Sequence, residues 1–381
     1  MNRRKFLTLV GGGIVIAAGG GYAATRTPTK ALEPWGQAGT YTDTRLNALS
    51  YAILAPNPHN RQPWTIELVG GDTVLIGFDE NRQLPHTDPF DRQLTIGMGC
   101  FLELLVMAAN ASGYDVDLEL FPEGVDDKEI SGRLVAIARF IKSDAIVADP
   151  LFAHVLERRS TKESHDMAKP VPVSALETLI AAGQNNTQMG GTVAEEELAY
   201  WRQATIEAME IELDTPRTYK ESVDLFRIGK SEINANPDGI ELPGLMMDVM
   251  GATGLMSREA ALDPESIAFT SGKEVTLAPM KTSMGFLWMT TPDNSRLSQI
   301  AAGRDWVRAN LAATSIGLAY HPNSQCLQEY AEMQKHYDDV HSRLAPNGGT
   351  VQMLIRIGYC AKVGPTPRWP LESRIVGAKT G

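Results

Sequence analysis

Apolar residues in the first third of the chain alternate between two spacings. Leu46, Leu49 and Ile53 recur at helical spacing behind Thr42 and Asp43, residue types that cap helix starts, and Pro56 and Pro58 end that helix. Residues 65–69 alternate as a strand, Gly70-Gly71-Asp72 makes a turn, and residues 74–76 return, which predicts a hairpin. From Asp91 a long helix is predicted, with Leu94, Met98, Leu102, Leu105 and Ala109 on one stripe and Gly113 as its terminating glycine. Residues 116–120 and 134–141 read as further strands.

A second unit opens near Asp149. Short helices are predicted over 151–158 and 173–182, and a long acidic amphipathic helix over 194–214. Residues 229–282, rich in Gly, Pro and Met, read as loops and short helices of the kind that form a lid or insertion. Then come a strand at 286–289, a strong helix over 294–316 closed by Gly317, and a buried strand over 351–357. Each unit thus runs helix, turn, long helix ending in glycine, strands. Helices beside hairpin-joined strands predict an α+β fold rather than a doubly wound parallel sheet. The expected division is 42–147 for the first half and 148–381 for the second, with 25–41 as a Thr/Pro/Gly-rich linker.

Composition narrows the function. The 381 residues are 43% hydrophobic and 21% charged, an ordinary globular balance, with a formal net charge of -11. No basic block stands out against that acidity, so nucleic-acid binding is not expected. The 3 cysteines, Cys100, Cys326 and Cys360, are too dispersed for a disulfide framework or a zinc motif. His336 and His341 do not share a helix face; they are expected to be solvated surface histidines, and no metal site is predicted. There is no dinucleotide-binding Gly-x-Gly-x-x-Gly after a strand, no P-loop and no nucleophile elbow.

The chain begins Asn2-Arg3-Arg4-Lys5-Phe6-Leu7 after Met1, followed by a Gly/Val/Ile/Ala stretch uncharged as far as Arg26. Paired arginines before a mildly apolar, glycine-containing stretch read as a twin-arginine signal over 1–24, with a small-residue cleavage site near Ala23. The expectation is export in the folded state to the periplasm by the twin-arginine machinery, the route of proteins that acquire a cofactor before export.

Two segments carry candidate chemistry. Ala55-Pro56-Asn57-Pro58-His59-Asn60-Arg61-Gln62-Pro63-Trp64 is a dense run of turn residues and amides between a helix and a strand. Its amides suit the polar edge of a heterocycle; equally, it reads as an Asx-type connector with a packed tryptophan. Arg158-Arg159-Ser160-Thr161-Lys162 places three cations and two hydroxyls at a helix end. That set suits a phosphate monoester, and it equally suits a basic helix C-terminus that complements the dipole.

Together these segments resemble the FMN-dependent nitroreductase superfamily. The 158–162 run, followed by Pro170-Val171-Pro172, is similar to its opening flavin motif, and the 55–64 run to its second motif, a Pro-rich turn ending in Asn-x-Gln-Pro-Trp. Residues 303–317, Arg356-Ile357-Gly358-Tyr359 and Pro367-Arg368-Trp369-Pro370-Leu371 resemble its late helix, strand and C-terminal tail. The motif order is reversed relative to ordinary members, as in the long Acg-type branch, where one chain holds two nitroreductase halves as a built-in dimer. The second half's counterpart turn, around Gly183-Gln184-Asn185-Asn186, lacks Pro-Trp, and the first half lacks an Arg-Arg-Ser. The resemblance therefore implies a nitroreductase-like fold of two fused halves, a monomer acting as a pseudo-dimer, with one FMN site between them.

It also implies roles. Arg158 and Ser160 would hold the FMN phosphate and ribityl chain, with Arg159 beside them and Arg368 as a second phosphate contact. Thr366 stands where the family often has a base. Lys162 would lie near flavin N1 and O2, and Pro56, Asn57, Pro58 and Asn60 would line the ring. The cofactor performs the hydride chemistry, so no side chain is singled out as catalytic. The implied activity is electron transfer through flavin N5 to a small stacked acceptor, nitro or quinone-like. The alternative is a protein that sequesters or stores flavin under a lid with little turnover.

Overall fold

The computed structural model describes residues 27–126, 130 and 132–376. The twin-arginine segment lies outside the described residues. Helix α1 (Thr29–Gln37) occupies the stretch expected as linker. Its Pro34 and Trp35 are buried, and the Trp35 indole donates to the Thr366 carbonyl at 2.8 Å, so tertiary contacts override a composition that reads as linker.

The first half continues through α2 (Thr44–Ala52), strands β1 (Trp64–Val69) and β2 (Thr73–Phe78), helix α3 (Arg92–Ala111), and strands β3 (Tyr114–Leu120) and β4 (Leu134–Lys142). The Asp43 carboxylate caps α2 by accepting from the Arg45 and Leu46 amides. Asp88, rather than Asp91, caps α3 with its carboxylate, accepting from the Gln93 and Leu94 amides. Gly113 ends α3 at φ 79°, the left-handed conformation expected of it.

The second half runs α4 (Val173–Ile180), β5 (Gln188–Thr192), a long insertion, then β8 (Gly285–Thr291), α11 (Arg296–Ser315), β9 (Ala319–Pro322), α12 (Gln334–Leu344) and β10 (Thr350–Gly358). The insertion holds α5 (Glu195–Asp214), α6 (Pro216–Asp224), β6 (Phe226–Ile228), α7 (Gly229–Ala235), β7 (Ile240–Leu242), α8 (Leu245–Ala252), α9 (Arg258–Leu262) and α10 (Ile267–Leu277). Short helices in its later part agree with the irregular reading of 229–282.

The two halves share one topology. The first sheet has order β1-β2-β4-β3 and the second β5-β8-β10-β9, both antiparallel throughout. In chain order the strands correspond one to one. The insertion replaces the tight turn that joins β1 to β2.

Helices α3 and α11, each 20 residues long, cross at the centre. Gly99 and Gly303 occupy the same position in their respective helices. A Cβ on Gly303 would lie 2.9 Å from the Gly99 Cα and press on the Ile96 carbonyl, so the backbones touch as only glycine allows. Helix α3 is long and apolar enough to cross a membrane, but most of it is buried in the shared core with Ile300, Trp306 and Leu311 of α11. Arg92 and Arg296, the first residues of the two helices, reach across the interface in opposite senses. Arg92 donates to the carbonyls of Gln352 and Leu327, and Arg296 to the Asp126 carbonyl and the Thr95 hydroxyl.

His336 and His341 depart from the solvated reading. His336 is buried on α12, and the His341 ring is held between the Tyr337 carbonyl and the Val351 amide.

Candidate functional site

The turn after α2 is built under strain. His59, Asn60 and Gln62 all have positive φ, at 45°, 50° and 49°. For His59 and Gln62, which lack the local tolerance of asparagine, such a conformation costs on the order of 1–3 kcal/mol each. Hydrogen bonds hold it. Asn57 accepts the Gln62 amide at 2.7 Å through Oδ1 and donates to the Ala55 carbonyl. Asn60 donates to the Pro367 carbonyl, and Gln62 accepts the Trp369 amide at 2.9 Å. The side-chain amides of Asn57 and Asn60 are thus engaged within the protein. Trp64 is fully buried and stacks on Phe101 of α3. Gly97 lets α3 approach from below: a Cβ there would meet the Asn57 Cβ at 2.9 Å. Pro56, Asn57, Pro58 and Asn60 are half-buried at the outer side of the turn.

Arg158 and Arg368 converge on that turn from other parts of the chain, and Arg159 lies next to Arg158. Arg158, at the end of the short 3-10 helix Pro150–Glu157, donates through Nη2 to the Leu54 carbonyl at 3.0 Å. Arg368, from the C-terminal tail, donates to the same carbonyl at 3.0 Å, to Ala55 at 3.1 Å and to Asn60 Oδ1 at 2.9 Å. Arg159 lies with its guanidinium 4.8 Å from the Trp35 ring centre, and Arg368 lies 5.7 Å from the same ring. No carboxylate forms an ion pair with any of the three among the described residues. Burial pushes Arg158 down to about 10, with Arg159 adding repulsion. Burial also pushes Arg368 down to about 9, with Arg158 and Arg159 adding repulsion against Glu241. All three remain cations near neutrality.

Four buried N–H groups in this cluster have no partner: Arg158 Nε and Nη1, Arg159 Nε and Arg368 Nε. Buried donors are normally satisfied, and a cluster of cations without an anion is costly. Such a set suits a multiply charged oxyanion. Ser160 is half-buried beside it.

Lys162 marks the other end of the site. Its side chain is accessible to solvent, yet surrounding protein lowers its pKa by desolvation while Glu241 opposes the shift. His59 is pushed down to about 4 by burial and then by Lys162. His321 on β9 lies well below the ordinary histidine value through burial, then Arg356 and Lys162. Glu241 on β7 is pushed up to about 7 by burial, with Lys162 and Arg368 opposing. The groups that feel the Lys162 charge therefore come from the first half, the second half and the insertion.

The insertion itself is fastened over the turn. Gln62 donates to the Pro237 carbonyl at 2.7 Å, and the Gly239 amide to the Asn60 carbonyl at 3.4 Å. Asp238 is buried between Arg82 at 2.9 Å and Arg227 at 2.6 Å, and it accepts the Trp369 indole N–H at 3.2 Å. Part of the segment expected as a lid is thus a strap across the site.

The equivalent turn of the second half is closed differently. The fully buried Asp305 carboxylate accepts from the amides of Gln184 and Asn185, the Asn185 side chain and the Thr187 hydroxyl. A carboxylate already fixed there leaves that turn a structural one.

Sequence reasoning singled out the turn, the 158–162 run and Arg368; the structure brings Arg158 and Arg368 together at the Leu54 carbonyl just before the turn, with Arg159 and Ser160 next in the chain to Arg158. It missed Trp35, Glu241, His321 and Arg356 as contributors. Arg356 lies in a run already singled out, but with no role; Trp35, Glu241 and His321 sit in no local pattern that marks them and are defined by what they pack against.

No family model matches the chain. Two proteins of Mycobacterium tuberculosis (strain H37Rv) that carry the name NAD(P)H nitroreductase are 25% identical to it. The first aligns over 346 residues, 87% of this chain and 92% of its own length; the second, acg, aligns over 344 residues, 87% and 95%. A nitroreductase structure from Anabaena variabilis overlays at a TM-score of 0.45 with 10% identity, covering 87% of this chain and 91% of its own. An FMN-dependent nitroreductase from Mycobacterium smegmatis, crystallised with NADPH, overlays at 0.36 with 14% identity, covering 58% and 96%. On sequence, then, this chain is similar over nearly nine-tenths of its length to mycobacterial chains that carry the name NAD(P)H nitroreductase.

Proposed function

We propose that the chain is an FMN-dependent oxidoreductase of the nitroreductase type with one cofactor site per chain. The observation that carries the reading is the set of four unpartnered buried N–H groups on Arg158, Arg159 and Arg368. Arg158 and Arg368 are hydrogen-bonded just before the Pro/Asn turn of the other half, with Arg159 beside Arg158, and a phosphate there would complete them. Ser160 would add a hydroxyl to that cradle. Pro56, Asn57, Pro58 and Asn60 would bound the ring, and Lys162 would supply positive charge at its edge. FMN, when bound, supplies hydride and electron transfer. The protein contributes orientation, a cation where negative charge develops, and exclusion of water. The names of the mycobacterial relatives support an NAD(P)H-linked activity. The acceptor is a small flat molecule, nitro or quinone-like. The two sheets of equal strand order support a monomer working as a pseudo-dimer.

Export is part of the proposal. The Arg3-Arg4 pair and the apolar stretch after it support passage of the folded, loaded protein through the twin-arginine machinery to the periplasm.

The test is an absorbance spectrum of the purified protein followed by titration with FMN. A flavin spectrum, or stoichiometric uptake of FMN, is expected. A colourless protein that takes up no FMN overturns the reading. One observation favours a second reading, flavin sequestration: the Pro237–Gly239 strap is hydrogen-bonded across the turn. Anaerobic stopped-flow mixing with NADPH separates the two, since rapid bleaching excludes a purely storing role.

A further inference from the structure

Arg356 on β10 is almost wholly buried, at 1% exposure, and forms no ion pair among the described residues. Its guanidinium is nevertheless fully used. Nε donates to His321 Nδ1 at 3.3 Å; Nη1 pairs with His165 Nε2 at 3.3 Å and donates to the Pro279 carbonyl at 3.2 Å. Nη2 donates to the carbonyls of Thr161 at 3.1 Å and Glu163 at 3.0 Å. A buried cation held only by neutral dipoles is expensive, and aliphatic packing would be cheaper for the core. What it does hold is informative. The two carbonyls belong to the residues immediately before and after Lys162. A guanidinium only donates, so His321 Nδ1 carries the lone pair and the proton of the neutral ring sits on Nε2. The groups acting on His321 are Arg356, Lys162 and His165.

We propose that Arg356 is a positioning residue. It fixes the backbone on both sides of Lys162, and it holds His321 as a neutral Nε2–H tautomer. Its importance for electron transfer rests on the reading of Lys162 as the cation at the flavin ring. Its positioning role does not, and the test keeps the two apart.

The experiment uses histidine-labelled full-length protein without added FMN, with the His321 signals identified by their loss in His321→Asn. Wild type is expected to show the Nε2–H tautomer and a ring that stays neutral well below the ordinary histidine range, whereas Arg356→Gln, which leaves the burial in place, should move the titration only part of the way back toward that range. Arg356→Lys keeps the charge but not the fork, and should fall between. In FMN-loaded protein, Arg356→Gln should shift the flavin midpoint to lower potential. A wild-type His321 protonated on Nδ1, or titrating near the ordinary value, overturns the proposal even if Arg356→Gln does not fold. So does an Arg356→Gln variant with unchanged tautomer. Protein that binds no FMN would sink the flavin reading, while the histidine signals would still decide the role of Arg356.

Discussion

Arg158 and Arg368 donate to one and the same carbonyl, that of Leu54, each at 3.0 Å. One arginine comes from the second half and the other from the C-terminal tail, and the carbonyl belongs to the first half. Three distant parts of the chain therefore meet at an oxygen just before the Pro/Asn turn, and two cations are held side by side with donors to spare.

Arg158→Ala should weaken FMN binding much more than riboflavin binding. A charge-assisted hydrogen bond contributes about 1.5–3 kcal/mol, so each one lost weakens FMN by roughly 10- to 150-fold. Riboflavin lacks the phosphate and should change by less than about threefold. Fluorescence titration with both ligands, on Arg158→Ala and Arg368→Ala, checks this. Equal losses for both flavins would remove the phosphate from this cluster.

Asp305 already closes the second turn, so FMN should bind at one per chain. Asp305→Ala breaks several hydrogen bonds to a buried carboxylate and should lower unfolding stability by about 2–4 kcal/mol while leaving the stoichiometry at one. Urea unfolding and a flavin-to-protein ratio measure the two parts. A ratio of two in wild type would contradict the reading of the second turn as structural.

Burial raises the Glu241 carboxyl to about 7, above the ordinary carboxylate value it would have in the unfolded chain. The native state then holds a proton that the unfolded chain has lost. Stability from this group is present at low pH and declines as pH rises from the ordinary carboxylate range toward 7. Glu212, also pushed up to about 7, contributes with the same sign. The difference between wild type and Glu241→Gln isolates Glu241. Without FMN, the variant should lose less stability than wild type between pH 5 and pH 7.5. Identical slopes in urea titrations at the two pH values would show that Glu241 does not carry the effect.

Gly303→Ala would force α11 away from α3. Overpacking of this kind costs about 1–3 kcal/mol, and the backbone contact here puts the change at the upper end. Because the candidate site is shared between the halves, FMN affinity should fall with stability. An alanine variant as stable as wild type, in thermal and urea unfolding, would mean that the crossing is looser than its geometry.

Much of this was legible in the sequence because it rests on local chemistry. Helices α2, α3 and α11 announce themselves by apolar spacing and by their stop signals, prolines after α2 and a glycine after α3 and α11. The 55–64 and 158–162 runs carry unusual residue types in short spans. What could not be read depends on distant partners. Strand β5 reads Gln188-Met189-Gly190-Gly191-Thr192, with no alternating pattern. Its glycines are there because Trp288 covers Gly190 and Leu176 presses on Gly191, so a Cβ at either position would lie within 2.5–2.7 Å of its neighbours. Helix α1 looks like linker because its proline and small residues are poor helix formers, and only the site beneath Trp35 explains it. Glu241 is one acid among many in an acidic chain until the strap sets it near Lys162.

The insertion enters where β5 would otherwise turn directly into β8, the place where the first half makes do with Gly70-Gly71-Asp72. The strand pairs of both four-stranded sheets lie outside this connection. Descendants of this chain could lengthen, shorten or exchange the cover without disturbing either sheet beneath it. Chains with the same paired sheets could therefore diverge from open catalyst to closed reservoir by changes confined to a single loop.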